Sequence, residues 1–160
     1  MRILITGAGG LLGGRLCELL AREHDVTGVV RRHDAPDGIR SRAADLTDEA
    51  AVAEILRLER PDAVVHAAAL ADAEVCEREP DRARLDNVVA TSLLASACER
   101  TEVRLIAIST DLVFDGTRAL SGETAPPAPR MEYGRSKLEA EAAAKAACPE
   151  GVILRIGLVC

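Results

Sequence analysis

The sequence predicts an α/β fold, namely a Rossmann-like, doubly wound parallel sheet with helices on both faces. Short apolar segments alternate with segments of helical spacing, which is typical of consecutive βαβ units. The apolar segments are almost continuously hydrophobic, as expected for strands that helices cover on both faces. The chain has 160 residues, of which 48% are hydrophobic, so its length and composition fit a single domain with its own core.

The elements follow from local patterns in chain order. In the first helical segment Leu12, Leu16 and Leu19 recur on one face. Prolines end the second and fourth helical segments, at Pro61 and Pro149. Strands are predicted over 2–6, 26–30, 63–66, 103–109 and 152–159, with a weak third strand near 39–43. Helices are predicted over 11–22, 47–60, 80–100 and 131–147.

Composition and charge exclude several classes of protein. With 26 acidic and 20 basic residues the net charge is −6, which argues against a nucleic-acid partner. No apolar run is long enough to cross a bilayer and the N-terminus lacks the apolar stretch of a signal peptide, so no membrane partner is expected. The five cysteines form no C-x-x-C pair, which favours reduced thiols, mostly in the core, and a cytoplasmic location. The three histidines lack metal-ligand spacing, so no metal site is predicted.

A glycine-rich segment, Thr6 to Gly13, follows the first strand and opens the first helix. It matches T-G-x-x-G-x-x-G and lacks the G-K-[S/T] of a Walker A loop. Without β-carbons the backbone can approach a pyrophosphate, and the helix start supplies free N–H groups, while Gly13 allows close helix–strand packing. A tight turn without a ligand is the alternative. The predicted cofactor-binding residues of this loop are Gly7, Gly10, Leu11, Leu12 and Gly13.

The second strand is followed by Arg31 and Arg32, at a position where NAD-binding sheets usually carry an acid that binds the ribose 2′-hydroxyl. Guanidinium groups suit a 2′-phosphate, so we predict that NADP(H) is preferred and that NAD(H) remains possible. Solvated surface arginines are the alternative. Asp34 or Asp37 could still bind a ribose.

Asp45 and Leu46 follow the weak third strand. The carboxylate could accept a hydrogen bond from an adenine amino group while the leucine packs on the ring. A local cap or turn formed by Asp45 is an equally good interpretation.

Tyr133 and Lys137 form a Y-x-x-x-K pair on one face of the fourth predicted helix. A phenol near pKa 10 transfers protons poorly at neutral pH, and a neighbouring ammonium group is expected to lower its pKa. The ammonium could also bind ribose hydroxyls of the cofactor. Ser109 and Thr110 end the preceding strand, where a hydroxyl could donate to a substrate carbonyl beside the tyrosine. A surface Tyr and Lys at chance spacing is the alternative.

With these motifs the chain resembles an extended short-chain dehydrogenase/reductase, and within that superfamily the dTDP-4-dehydrorhamnose reductase family of sugar-nucleotide reductases. The matching segments are Thr6 to Gly13, Val65 to Ala69, Asn87, Ser109 to Gly116, Tyr133 to Lys137 and Leu154-Arg155. The most specific is S-T-D-x-V-F-D-G at 109–116. In this family most of the sugar-nucleotide-binding segment comes after the position of Cys160. We therefore expect 1–160 to be an NAD(P)-binding Rossmann domain without that C-terminal segment.

The resemblance implies hydride transfer from NADPH to the 4-keto group of a nucleotide-linked deoxysugar. Thr110 would polarise the keto group, Tyr133 would deliver the proton, and Lys137 would hold the nicotinamide ribose and tune the tyrosine. These three are the implied catalytic residues, and Asn87 would brace the site. The implied cofactor-binding residues beyond the glycine loop and the arginines are Asp45, Leu46, Ala67, Ala68, Ala69, Asn87, Ser109, Tyr133 and Lys137, of which the alanines would form a backbone wall.

Other functions stay open beside this one. Leu112 stands where the family often has a tyrosine, a departure that bears on local substrate contacts. The chain could be another NAD(P)-dependent sugar-nucleotide epimerase or dehydratase, or a non-catalytic NADP-binding regulatory subunit like that of methionine adenosyltransferase. A structural remnant without activity is the third alternative. The expected partners are a nucleotide-sugar substrate and either a second copy of the chain or another protein.

Overall fold

Six strands form one sheet in the computed structural model, which describes residues 1–31, 33–117 and 121–157. The strands are β1 (Arg2–Thr6), β2 (Asp25–Val30), β3 (Arg40–Ala43), β4 (Ala63–His66), β5 (Arg104–Thr110) and β6 (Val152–Ile156). Their spatial order is β3-β2-β1-β4-β5-β6, and every neighbouring pair is parallel. In this register Ile5 of β1 lies between Gly28 of β2 and Val65 of β4. The order is that of a doubly wound sheet, so the predicted fold class is confirmed.

The helices largely follow the predicted segments. They are α1 (Leu11–Leu20), α2 (Glu49–Glu59), α3 (Ala73–Arg78), α4 (Pro80–Ala83), α5 (Ala90–Arg100) and α6 (Glu132–Ala147). Between α4 and α5 the chain continues as a π-helical segment, Arg84–Val89, so the helix predicted over 80–100 consists of three consecutive pieces. α3 is an addition to the prediction, because six residues are too few to show a helical period. A 3-10 turn, Asp111–Val113, directly follows β5 within the predicted loop.

Local signals explain where α2 begins and ends. Asp48 caps its N-terminus by accepting a hydrogen bond from the N–H of Ala50 at 2.9 Å. The helix ends where Arg60 adopts a left-handed φ of 45°, immediately before Pro61. The buried residues of α2 have helical spacing and are Val52, Ile55 and Leu56. The sequence punctuation that predicted this helix therefore acts as expected.

Apolar clusters lie on both faces of the sheet. One contains Leu4 and Val64 of the sheet together with Leu94 of α5. The other contains Ile5 of β1 and Cys17 of α1. Successive side chains of a strand point to opposite faces, so β1 contributes to both clusters.

β3 is the polar edge of the sheet, and all four of its residues are exposed. Arg42 donates to Glu59 of α2 at 2.8 Å, and Arg40 lies 3.6 Å from the same carboxylate. Charged side chains of this kind discourage an edge strand from pairing with another chain. They also explain why the sequence signal for this strand is weak.

Within the described ranges, no helix is long and apolar enough to cross a membrane, and no group of His, Cys, Asp or Glu has the placement of a metal site. Four cysteines are free and buried, as expected for core thiols: Cys17, Cys76, Cys98 and Cys148. Cys160 and the predicted end of the last strand lie outside the described residues.

Candidate functional site

A cavity of about 300 Å³ opens where β1, β2 and β4 end. The strand order reverses between β1 and β4, and this switch point is where open α/β sheets bind their ligands. Predicted cofactor-binding residues line the cavity, namely Gly7, Gly10, Arg31, Leu46, Ala67, Ala68 and Ala69. The structure thus brings the glycine loop, the end of β2 and the alanine wall together around one groove, which we call the nucleotide groove.

Gly7 and Gly13 give the loop a shape that larger residues would block. Gly7 has a φ of 71°, and a β-carbon there would lie 2.7 Å from the backbone nitrogen of Ala68. A β-carbon on Gly13 would lie 2.2 Å from the carbonyl oxygen of Gly7. The close approach of α1 to the loop agrees with the packing expected for Gly13. At both positions the absent β-carbon lets two backbone segments of the protein pack closely, which fixes the shape of the loop beside the groove.

Leu11 and Leu12 form the first turn of α1, which follows the N-cap residue Gly10. Backbone N–H groups in a first turn lack acceptors within the helix and can donate to an anion. Leu11 is 71% exposed and its side chain carries no donor, so any hydrogen bond of this residue to a phosphate would come from its backbone.

Arg31 is held at the mouth of the groove by an ion pair. It donates to both carboxylate oxygens of Asp86, at 2.7 and 3.1 Å. The Arg31 side chain is 41% exposed, whereas that of Asp86 is 8% exposed. The hydrogen bond to Asp86 is the main reason why the pKa of Arg31 is raised. Arg31 is therefore an oriented guanidinium group, and Arg32 lies outside the described residues.

Asp45 accepts hydrogen bonds from the backbone N–H and the hydroxyl of Thr47, at 3.0 and 2.7 Å. These bonds lower the pKa of its carboxyl group. Asp45 thus forms the local turn that was the alternative to adenine binding. Leu46 is buried and lines the groove, and its packing on an adenine ring stays a prediction. Asp34 and Asp37 are exposed and are not among the described residues that line the groove.

A chain of buried hydrogen bonds runs beneath the alanine wall. Nδ1 of His66 lies 2.8 Å from the hydroxyl of Thr6, and Nε2 lies 2.9 Å from the hydroxyl of Thr91. Thr91 donates its only proton to the carbonyl of Asn87 at 2.6 Å, so Nε2 must donate to Thr91. Thr6 then donates to Nδ1 and accepts from the N–H of Ala68 at 3.2 Å. This pattern is complete when the imidazole ring is neutral and carries its proton on Nε2.

The surroundings of His66 keep the ring neutral. Burial, and after it the positive charge of Lys137, lower the pKa of His66 to about 3. Through Thr6 the ring positions the backbone of Ala68, which faces Gly7. His66 entered the sequence analysis only as part of a matching segment, although a lone histidine at the end of a buried strand was a signal for such a role.

Asn87 lies in the π-helical segment and is 1% exposed. Its Oδ1 accepts from the N–H of Leu70 at 2.7 Å, and its Nδ2 donates to the carbonyl of Leu70 at 3.1 Å and to the hydroxyl of Ser136 at 2.9 Å. Ser136 in turn donates to the carbonyl of Tyr133 at 2.8 Å. Asn87 therefore ties the loop after β4 to α6. It is not among the described residues that line the groove, so its direct contact with a cofactor stays a prediction.

Tyr133 is half-buried in the first turn of α6. Burial raises the pKa of its phenol, and Cys76 and Asp111 raise it further. The prediction that Lys137 lowers this pKa is therefore wrong for this structure, because burial and the neighbouring acidic groups dominate. The phenol stays protonated at neutral pH, which suits a proton donor.

Lys137 is 5% exposed, and its Nζ donates to the carbonyl of Ile108 at 2.8 Å. Burial lowers the pKa of Lys137 to about 8, while the carboxylate of Glu141 acts in the opposite direction. The ammonium group is thus mostly charged at neutral pH and gives up its proton in mild alkali.

Ser109 at the end of β5 donates to Glu141 of α6 at 2.5 Å. Arg155 of β6 donates to both oxygens of the same carboxylate, at 2.9 and 2.6 Å. The Ser109 hydroxyl was expected to bind the cofactor, but in this structure it donates to the Glu141 carboxylate that Arg155 also binds. Glu141 was missed by the sequence analysis, although its position one helical turn after Lys137 was a signal.

Thr110 ends β5 and is 7% exposed. Its hydroxyl accepts from the N–H of Leu112 at 3.1 Å and donates to the carboxylate of Asp111 at 3.2 Å. It therefore caps the 3-10 turn after β5. Asp111 also influences the phenol of Tyr133, so Thr110 and Tyr133 lie near the same end of the sheet.

A family model described as the RmlD substrate binding domain matches residues 1–160. A probable low-salt glycan biosynthesis reductase, Agl14, of Haloferax volcanii is 37% identical over 161 residues, covering 99% of this chain and 54% of the relative. A dTDP-4-dehydrorhamnose reductase of Mycobacterium tuberculosis is 37% identical, covering 99% and 50%. Methionine adenosyltransferase 2 subunit beta of Danio rerio is 36% identical, covering 99% and 48%. The chain thus spans about half the length of the curated relatives it matches.

Solved structures share the same architecture. A hypothetical dTDP-4-dehydrorhamnose reductase from Sulfolobus tokodaii has a TM-score of 0.89 and 35% identity, covering 98% of this chain and 56% of the other. A dTDP-4-dehydrorhamnose reductase from Bacillus anthracis in complex with NADP has a TM-score of 0.83 and 31% identity, covering 98% of this chain and 53% of the other. A UDP-glucose 4-epimerase from Thermus thermophilus in complex with NAD has a TM-score of 0.83 and 28% identity, covering 98% of this chain and 54% of the other. This chain therefore belongs to the RmlD substrate binding domain family, among relatives of the dTDP-4-dehydrorhamnose reductases.

Proposed function

We propose that this chain is the NAD(P)-binding, proton-donating Rossmann domain of an oxidoreductase that uses NADP(H) to reduce the 4-keto group of a nucleotide-linked deoxysugar. One observation carries the proposal: the nucleotide groove and the Y-x-x-x-K helix meet at one end of the sheet, and Asn87 joins them. The identity to a dTDP-4-dehydrorhamnose reductase supports the reaction class.

The groove would hold the cofactor along its length, and the nicotinamide ring would supply the hydride. The backbone N–H groups of Leu11 and Leu12 would bind the pyrophosphate, and Leu46 would pack on the adenine. The Arg31 guanidinium would contact the 2′-phosphate, a contact that the 2′-hydroxyl of NAD(H) would not match in charge.

The residues of α6 would move the proton. Tyr133 would give its phenolic proton to the keto oxygen of the substrate, and its raised pKa keeps that proton in place beforehand. The Lys137 ammonium would stabilise the phenolate that forms and would bind ribose hydroxyls. Thr110 would polarise the keto group by turning its hydroxyl from Asp111 to the substrate.

Titration calorimetry with NADP⁺ and NAD⁺ tests the cofactor part of this proposal. We expect both to bind and NADP⁺ to bind more tightly. Consumption of NADPH in the presence of a dTDP-linked 4-keto-6-deoxysugar tests the reaction. Tyr133→Phe is expected to bind NADP⁺ normally and to lose turnover by about 10²-fold or more, because the acid is missing. A folded chain that binds neither cofactor contradicts the proposal.

A second candidate function is that of a non-catalytic, NADP-binding subunit, which the 36% identity to methionine adenosyltransferase 2 subunit beta favours. Its signature would be NADP⁺ binding without keto-sugar-dependent turnover, together with a stable complex with a larger enzyme. A sugar-nucleotide epimerase would instead interconvert its substrate without net consumption of NADPH. The homodimer and the cytoplasmic location stay predictions.

A further inference from the structure

We propose that Asp86 is a specificity-determining residue that restrains recognition of the 2′-phosphate, because it holds and neutralises Arg31 at the mouth of the nucleotide groove. The inference rests on the proposed function, since it concerns how the same groove distinguishes NADP(H) from NAD(H). Asp86 is absent from every motif found in the sequence.

The geometry places the carboxylate where it competes with a phosphate. Both terminal nitrogens of Arg31 donate to Asp86, at 2.7 and 3.1 Å, so the end-on face of the guanidinium is occupied. Asp86 and Arg31 line the same cavity as Gly7 and Gly10. With 8% of its side chain exposed, the carboxylate has little water to screen its charge.

A second guanidinium group shares this carboxylate. Nε of Arg82 lies 3.8 Å from Asp86, and Arg82 also lines the groove. Its Nη1 is bound to Glu79 at 3.0 Å, outside the set of residues that line the groove. Two guanidinium groups therefore share the Asp86 carboxylate at this end of the groove, and removal of its charge would leave both without it.

The two cofactors feel this carboxylate differently. The 2′-phosphate of NADP(H) is an anion, so Asp86 repels it and competes for the Arg31 N–H groups. NAD(H) has a neutral hydroxyl at that position, and a carboxylate can accept a hydrogen bond from it. Asp86 thus moves the balance toward NAD(H), and Arg31 moves it toward NADP(H). The groove is expected to bind both cofactors, and the ratio of its affinities for NADP(H) and NAD(H) should be smaller than Arg31 alone would produce.

Calorimetric titration of the whole chain with NADP⁺ and with NAD⁺ tests the inference. Asp86→Asn is expected to raise the ratio of Kd for NAD⁺ to Kd for NADP⁺ about tenfold. Asp81→Asn is the matched control, since it makes the same charge change on an exposed side chain of α4 that is not among the described residues lining the groove. In the Arg31→Ala background the effect of Asp86→Asn should shrink to about threefold or less, because only the direct repulsion of the phosphate remains once the competition for Arg31 is removed.

The outcomes separate the inference from the function on which it rests. An unchanged or lower ratio in Asp86→Asn overturns the inference and leaves the cofactor assignment intact, as does a tenfold rise that persists without Arg31. A folded wild-type chain that binds neither cofactor overturns the proposed function, and the inference falls with it. Circular dichroism verifies that Asp86→Asn is folded, and Asp86→Ser makes the same test if it is not.

Discussion

The two ends of the site are built in different ways. In the interior, beneath the alanine wall and beside α6, His66, Asn87 and Lys137 are 1%, 1% and 5% exposed, and hydrogen bonds inside the fold hold each of them. At the nucleotide end, Arg31 has 41% of its side chain exposed and is held by an ion pair. The difference teaches that the fold itself maintains the geometry beside α6, so substitutions there are expected to lower the free energy of unfolding. At the nucleotide end an ion pair near the surface sets the charge around Arg31.

Asn87→Ala is expected to lower the free energy of unfolding most, by about 2–4 kcal/mol, because buried polar groups of Leu70 and Ser136 lose their partner. Arg31→Ala is the matched variant at the other end and should lower it by less, about 1–2 kcal/mol, because Arg82 remains 3.8 Å from the Asp86 carboxylate as a second partner. Urea unfolding measures both. Equal losses from the two variants would contradict the comparison.

His66 is expected to make the chain sensitive to mild acid. Its pKa in the fold, about 3, lies below the ordinary 6.5, so the unfolded chain takes up a proton first as the pH falls. The free energy of unfolding is therefore unaffected by this titration above pH 6.5. Between pH 6.5 and pH 3 it falls by about 1.4 kcal/mol for each unit by which the pH is lowered. Unfolding at a series of pH values should show this extra slope in the wild type and in the control His24→Asn. Persistence of the same slope in His66→Asn would refute the assignment.

Glu141→Gln is expected to lower the pKa of Lys137 further below about 8, because the carboxylate raises it in the wild type. The chain contains two lysines, Lys137 and Lys145, so NMR of labelled lysine resolves the site residue beside an internal reference. The readout is the pH at which the Lys137 signal titrates. An unmoved or higher midpoint in the variant would mean that Glu141 does not act on the ammonium.

Asp111→Asn is expected to produce the smallest effect, a lower pKa of Tyr133, because the Asp111 charge is a minor cause of the raised value. The chain has one tyrosine and no tryptophan, so ultraviolet absorbance follows this phenol alone. Asp81→Asn serves as the control for a change in net charge. If both variants titrate like the wild type, Asp111 does not lie where the structure places it.

Local patterns in the sequence predicted features that lie within one element, but they did not predict contacts between two elements. The strands, the glycine loop and the Y-x-x-x-K pair are local patterns, and all lie where they were expected. Asp86 meets Arg31 across 55 positions of the chain, and no spacing rule links them. The pKa of Tyr133 was predicted in the wrong direction for a related reason, since burial depends on tertiary packing.

The hydroxyls that end β5 show the same limit. A hydroxyl at the end of this strand was expected to face the substrate or the cofactor. The strand position of Ser109 and Thr110 followed from the apolar run before them, but their partners did not. The Ser109 hydroxyl binds Glu141 of α6, and the Thr110 hydroxyl binds the 3-10 turn. Both contacts depend on how α6 and the turn pack, which no local pattern shows.

The π-helical segment Arg84–Val89 carries Asp86 and Asn87 side by side on one wide helical turn. A π-bulge adds a residue to a helix without changing the path of its ends. In this segment Asp86 is aimed at the nucleotide end and its neighbour Asn87 at the catalytic end. Deleting one residue before Asp86 would rotate both side chains by about 100° around the helix axis. The segment thus sets the angular positions of Asp86 at the nucleotide groove and of Asn87 beside α6 together, so a change in its length moves both side chains.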